Sequence, residues 1–317
     1  MTAREPADTV PAPTPMDSTP KSVAPAPVQT GRASALHELG EIAHDFWSYR
    51  DLLYQITLRD IRIRYKQAVM GFGWAILMPA LIVLAGLLIK VAMANFAGKP
   101  LQTSEVASLV VKALPWSFFV GAIGFSAASL LSNLSLVTKV YLPREVFPVA
   151  ATIAQAFDTS ISAALVAVAL PFLGASLTWS ILWVPVLAIL LFLFTAALGL
   201  FLSCANLFFR DVKYIVQVLL TFGIFFTPVL FDATMVGPTG SLLIMLNPLS
   251  PFLEGLRLCV VQGHNLLEPL TQVGASGDTI LAWTPWYLAY GVLWSLGGLL
   301  ASSIVFHRLE FLFAEFI

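Results

Sequence analysis

Six apolar stretches, beginning at Gly71, Leu114, Val146, Trp179, Ile215 and Trp283, occupy most of the chain. A helix rises about 1.5 Å per residue and a bilayer core is roughly 30 Å thick, so a crossing needs on the order of 20 apolar residues. Gly71 to Ile89, Leu114 to Leu136, Phe147 to Leu173, Trp179 to Cys204 and Trp283 to Phe306 meet that length, and Ile215 to Phe231 comes close to it. None shows the period-2 alternation of a membrane barrel strand. The pattern therefore predicts an all-α integral membrane fold with six transmembrane helices.

Between the fifth and sixth stretches, two shorter apolar pieces, 241–246 and 252–261, are separated by Asn247, Pro248 and Pro251. Irregular backbone at membrane depth requires a protein or water-filled surrounding, so the piece 241–261 reads either as a re-entrant outer hairpin or as an amphipathic loop on the outer surface. Ahead of the first span, Phe46, Tyr49, Leu53 and Ile56 recur at spacings of three and four, which predicts an amphipathic helix at the membrane interface. From Asp60 to Lys66 charged and apolar residues alternate as in a strand. A lone strand would find no partner for its ladder, so a helix is expected there too.

Composition agrees: 58% of residues are hydrophobic and 11% charged, with a mean hydropathy of +0.85. A soluble domain so composed would lack a solvated surface. Residues 1–33 are rich in proline and alanine, hold no aromatic residue, and are expected to form a disordered cytoplasmic tail. No apolar signal region lies in that tail, so the first span is expected to direct insertion. Three units follow: the tail 1–33, an interface helix within 34–70, and a transmembrane domain 71–317.

With the N-terminus in the cytoplasm, inner segments carry Arg50, Arg59, Arg62, Arg64, Lys66, Lys139, Arg144, Arg210, Lys213 and Arg308, against Lys99, Lys112 and Arg257 outside. This bias places both termini in the cytoplasm. Lys90, near the outer end of the first span, reads as an anchor whose ammonium reaches the headgroups. Asp158 lies inside the third span, where a carboxylate is costly, and must face the bundle interior or water. It could bind hydroxyls of a cargo or accept a structural hydrogen bond. Ser126, Ser129, Ser132 and Asn133 mark a small, polar face on the second span, for close packing or for lining a pathway. Aromatic residues at the predicted span ends (Phe72, Trp74, Trp116, Phe118, Phe119, Trp283, Trp286 and Tyr287) suit an interfacial belt, and some would suit stacking on sugar rings.

No G-x-x-x-x-G-K-[ST] occurs, so the chain has no phosphate-cradling loop of its own. His37, His44, His264 and His307 form no metal-like pattern, and Cys204 and Cys259 fall on opposite membrane sides. No metal site and no internal disulfide are expected. Secondary transport predicts internal repeats and broken midplane helices, and a transferase predicts clustered interfacial acids. The chain has neither.

The segments LRDIRIRYKQAVMGFGWAILMPAL from Leu58, LPWSFF from Leu114, TKVYLPREVFP from Thr138, NLFFRDVKYI from Asn206, FTPVLF from Phe226 and NPLSPFLEGLR from Asn247 resemble, in the same order, the permease subunits of ABC-2 type exporters of O-antigen and teichoic-acid polysaccharides. The resemblance implies a homodimer paired with a separate nucleotide-binding ATPase, which would hold ATP and Mg, in a bacterial cytoplasmic (inner) membrane. The cargo would be a lipid-linked polysaccharide moved outward, with no nucleic acid involved and no cofactor in this chain. Export of a drug or small lipid is the alternative. The resemblance also implies that Arg59, Arg62, Arg64, Tyr65 and Lys66 belong to a gate or interface helix. Lys139, Tyr141, Leu142, Pro143, Arg144 and Glu145, within a loop 138–148, would couple to the ATPase. Asn247, Pro248, Glu254 and Arg257 would form a re-entrant outer gate. Asp158, Trp74, Trp116, Phe118 and Phe119 are candidate pathway-lining residues.

Overall fold

The computed structural model describes residues 40, 44, 47–66, 70–98, 100–139, 142–175, 178–273, 279–310 and 312–313, with backbone only at 97 and 138–139. The expected tail, 1–33, together with Phe46 and Tyr141, lies outside them, as does the side chain of Lys139. Helix α1 (Arg50–Lys66) leads to α2 (Gly73–Ala97), α3 (Thr103–Ser132), the short α4 (Leu134–Lys139), α5 (Val146–Ala169), α6 (Trp183–Phe208) and α7 (Val212–Phe226). Two short helices follow, α8 (Gly237–Met245) and α9 (Ser250–Val261), then strands β1 (Leu270–Val273) and β2 (Thr279–Trp283). The chain closes with α10 (Pro285–Val292), a π-helical turn over Leu293–Gly297, and α11 (Gly298–Glu310).

Among the described residues, five helical segments are long and apolar enough to cross a membrane: Gly73–Phe96, Thr103–Ser132, Val146–Leu173, Trp179–Phe208 and Pro285–Glu310. The stretch expected to form a fifth crossing before the hairpin forms only the 15-residue α7. At about 1.5 Å per residue that is roughly 22 Å of helix, because Pro228 follows and removes a backbone donor. The alternating run before the first span is helical, with Ile56 buried against the bundle. An antiparallel β1–β2 ribbon, with Thr271 opposite Leu281, joins the all-α core after α9.

Helix α3 is the centre of the bundle, packed against α2, α5, α6, α7 and α9. Of its most apolar window 61% is buried, against 11% for α2, which leaves most of α2's surface for lipid. In lipid, tails are as apolar as leucine, so helices associate through close backbone approach and polar contacts. Gly199 on α6 meets Ser126 on α3 so closely that an added Cβ would lie 2.8 Å from the serine Cβ. Ser126 Oγ donates to Pro148 O at 3.0 Å and lies 2.9 Å from Thr152 Oγ1 on α5. Asn206 on α6 donates to Ala127 O at 2.8 Å and accepts from Lys213 N–H, so it satisfies α3 and the start of α7 together.

Among the described residues, apolar side chains collect into two buried clusters. One, around Trp116, Phe194, Phe252 and Trp283, joins α3, α6 and the two short helices. The other, around Ile56, Leu130, Phe147, Leu200 and Phe306, joins α1 to the opposite ends of α3, α5, α6 and α11. Between α1 and α2, Gly71 takes a left-handed φ of +50°, a conformation that side chains with a Cβ disfavour.

Three expectations change. Trp283 is not at a membrane interface; it is fully buried, its indole N–H donating to Leu266 O at 2.9 Å, because β2 carries it inward beneath α9. Lys90 does not reach outward. Helix α2 continues to Ala97, well past Lys90, and the side chain is buried where its charge acts on Asp232. Lys112 lies inside α3, not in an outer loop, because that helix begins at Thr103.

Candidate functional site

The side chains of α1 that face the bundle make specific polar contacts with α3 and α5. Arg59 donates to Asn133 Oδ1 at 2.6 Å and to Asp60 Oδ1 at 2.8 Å. One turn and a half further on, Arg64 donates from Nη1 to Asp158 Oδ2 at 2.7 Å and to Gln155 Oε1 at 2.9 Å. Tyr65 donates its hydroxyl proton to the other Asp158 oxygen. Asp158 is thereby satisfied on both oxygens, which answers how a carboxylate within a span is tolerated: it is paired rather than solvated. Burial, then the hydrogen bond to Asp158, raise the Tyr65 phenol well above its ordinary pKa, so it remains a protonated donor.

The Arg64 guanidinium also sits over the Phe125 ring, 3.8 Å from its centroid. Guanidinium is planar, so a face can stack on an aromatic ring while its edge donates to carboxylate and amide. Tyr65 in turn packs on Phe72, with ring centroids 4.3 Å apart. Arg62 and Lys66 are exposed on the other side of α1.

Arg64 and Tyr65 border a cavity of about 650 Å³ between α2, α3 and α5, whose wall includes Trp74, Trp116, Gln155 and Asp158. Three of the candidate pathway residues, Asp158, Trp74 and Trp116, are thus brought together. The other two are elsewhere: Phe118 is buried beside a second, apolar cavity of about 400 Å³ bordered by α3, α5 and α6, and Phe119 stacks on Phe194. A third cavity, of about 470 Å³, lies between α1 and α3 and is bordered by Arg59, Asp60, Ser129, Ser132, Asn133 and Arg64. The serine face of α3 therefore divides, with Ser126 serving helix packing and Ser132 and Asn133 facing this polar hollow.

The loop after α4 is tied to the end of α11. Arg144 Nη1 donates to Glu310 O at 2.7 Å, its backbone N–H donates to Glu310 Oε1 at 3.4 Å, and its guanidinium lies 5.5 Å from the Phe313 ring. Leu142 and Glu145 are buried, and Pro143 is half-buried. Motion of this loop would therefore be felt by α11 as well as by α5.

A buried charge cluster, which the spacing of residues disclosed only in part, joins α9 to α3 and to Asp232 in the segment after α7. Arg257 Nε donates to Glu254 Oε2 at 2.6 Å, the expected i,i+3 pair. Lys112, fully buried on α3, donates to Asp232 Oδ1 and to Phe231 O, both at 2.6 Å, and lies 3.5 Å from Glu254 Oε1. Glu254 Oε1 also accepts Ala233 N–H. Burial raises the Asp232 carboxyl, but Lys112 and Arg257 outweigh it and hold the group well below the usual carboxylate range. Asn247, in the α8–α9 joint, donates to Thr227 Oγ1 at 3.0 Å and accepts from Leu249 N–H, fastening that joint to the end of α7. Pro248 follows in the joint, half-buried.

No family model matches the chain. Over 248 residues, covering 76% of it and 92% of the relative, it is 29% identical to the O-antigen export system permease protein RfbA of Myxococcus xanthus. It is 25% identical over 273 residues, 84% of its length and 95% of the relative's, to the protein of the same name from Klebsiella pneumoniae. A further Klebsiella pneumoniae protein of that name is 27% identical over 219 residues, 67% of the chain and 81% of the relative.

Proposed function

We propose, for a chain that belongs to the ABC-2 type O-antigen export permease family, that it is the membrane-spanning subunit through which an ATP-driven exporter moves a lipid-linked polysaccharide outward across the bacterial inner membrane. The observation that carries this reading is the similarity to three permeases of O-antigen export along 67–84% of the chain. Nothing favours a drug or small lipid as cargo. The engine is a separate ATPase that binds ATP and Mg, and two copies of this chain pair to complete the conduit.

In this reading α7 is a sixth crossing, short enough that its ends draw the bilayer inward, and α8 with α9 forms the re-entrant outer hairpin. Both termini are cytoplasmic. Closure of the ATPase pair on ATP pulls the loop bearing Leu142, Pro143, Arg144 and Glu145 and shifts α1, which requires that ATP favour one arrangement over the other. The bond between Arg144 and Glu310 supports a rigid link from that loop to the last helix. The test is complementation. Cells lacking their own O-antigen permease, given this chain and its ATPase, should regain surface polysaccharide. Polysaccharide retained inside, despite both subunits in the membrane, refutes the reading.

A further inference from the structure

Two cavities described above meet at a single place. Among the described residues, only Arg64 and Phe125 border both the polar hollow beside Ser129 and Ser132 and the larger, aromatic cavity beside Trp74 and Trp116. Those two side chains are stacked on each other, and the arginine is held from behind by Asp158 and Gln155. The shared border of the two hollows, among the described residues, is thus a guanidinium on a ring.

We propose that Arg64, seated on Phe125 and latched by Asp158, is a plug that separates a cytoplasm-facing vestibule from the membrane-depth cavity, and that release of the latch joins them. This rests on the orientation and transport role proposed above. Three features of the chain suit the task. A guanidinium closes an opening with its face against an apolar ring while Nη1 on its edge donates to Asp158 and Gln155, so stacking and charge-assisted bonding hold it together. At membrane depth an arginine or aspartate alone is costly, whereas the pair offsets both charges, so the closed state is favoured until force is applied to α1. And α1 joins the first span through Gly71, whose left-handed backbone has open space around it, so the helix bearing Arg64 has a joint seven residues beyond the plug. An idle exporter with joined cavities would pass ions; a bonded plug prevents that.

The test uses a reporter thiol in the larger cavity. Ser117→Cys places one there, in a background where Cys204 and Cys259 are changed to alanine. Inside-out membrane vesicles from cells expressing the complete export system, without ATP, are treated with a membrane-impermeant maleimide. With Arg64 and Asp158 intact, labelling is expected to be slow. Asp158→Asn should raise its rate about tenfold, and Asp158→Glu, which keeps a carboxylate for Arg64, should hold it near the starting value. Unchanged labelling in Asp158→Asn, or labelling in Asp158→Glu as fast as in Asp158→Asn, overturns the plug. Should Asp158→Asn fail to insert, Phe125→Ala replaces it: faster labelling supports the plug and an unchanged rate overturns it. Surface polysaccharide is scored separately, so lost export with unchanged labelling overturns the plug while leaving the transport reading in place.

Discussion

Replacing Lys112 by methionine tests whether the buried charge cluster holds α9 to the bundle. The two side chains are of similar length and shape, so the change removes charge and donors with little change of volume. Asp232 would lose its 2.6 Å partner and keep only Arg257 at 3.7 Å, and Phe231 O would lose its donor. Breaking a buried ion pair from one side costs about 3–5 kcal/mol, because the remaining charge stays desolvated. The lower figure applies here, since Arg257 still pairs with Glu254 and the Lys90 charge still acts on Asp232 from beyond contact distance; about 3 kcal/mol is roughly a hundredfold in the unfolding equilibrium. Adding Asp232→Asn to Lys112→Met removes both members of the 2.6 Å pair and should recover much of the loss. Unfolding of the purified chain in lipid nanodiscs, followed by tryptophan fluorescence, measures both. A single-variant cost below about 1 kcal/mol, or a double variant whose losses simply add, would refute the reasoning.

Gly199→Leu should destabilise the bundle by at least about 1–3 kcal/mol, since even a Cβ meets Ser126 at 2.8 Å, and thermal melting in detergent reads it. Arg144→Gln, which weakens the tie to Glu310, should leave ATP hydrolysis by the assembled complex nearly unchanged and lower polysaccharide export several-fold; parallel loss of both activities would count against a coupling role. A cysteine at the exposed Leu246, in the α8–α9 joint, should react with an impermeant maleimide in intact spheroplasts, whereas reaction only in inside-out vesicles would invert the proposed topology.

Long-range pairing is what reading the chain by period and length does not reach. The spans are legible because twenty apolar residues in a row have one use, and the break between α8 and α9 is legible because Pro248 and Pro251 restrict the backbone there. The Glu254–Arg257 pair is legible because one helix turn separates its members. Arg64 and Asp158 are each conspicuous, but they lie 94 residues apart, and no local rule joins them. Lys112 and Asp232 are 120 apart, and the same limit made Lys112 look like a loop cation and Lys90 like an anchor. The β1–β2 ribbon escapes notice because its strands hold four and five residues and a register irregularity interrupts them. Consecutive glycines at 297 and 298 were the only local hint of the π-turn, and glycine pairs have many other uses.

That wide turn sets how the last helix is phased. One surplus residue over Leu293–Gly297 rotates everything after it by about 100° relative to an uninterrupted α-helix. The upstream half turns Tyr287 toward Trp283, while the downstream half turns Phe306 into the cluster around Ile56, Leu130 and Phe147. Excising a single residue there would let the helix run straight, yet it would swing Phe306 and the Glu310 end away from their partners. The widened turn is thus a splice that lets one rod satisfy two separately oriented sockets.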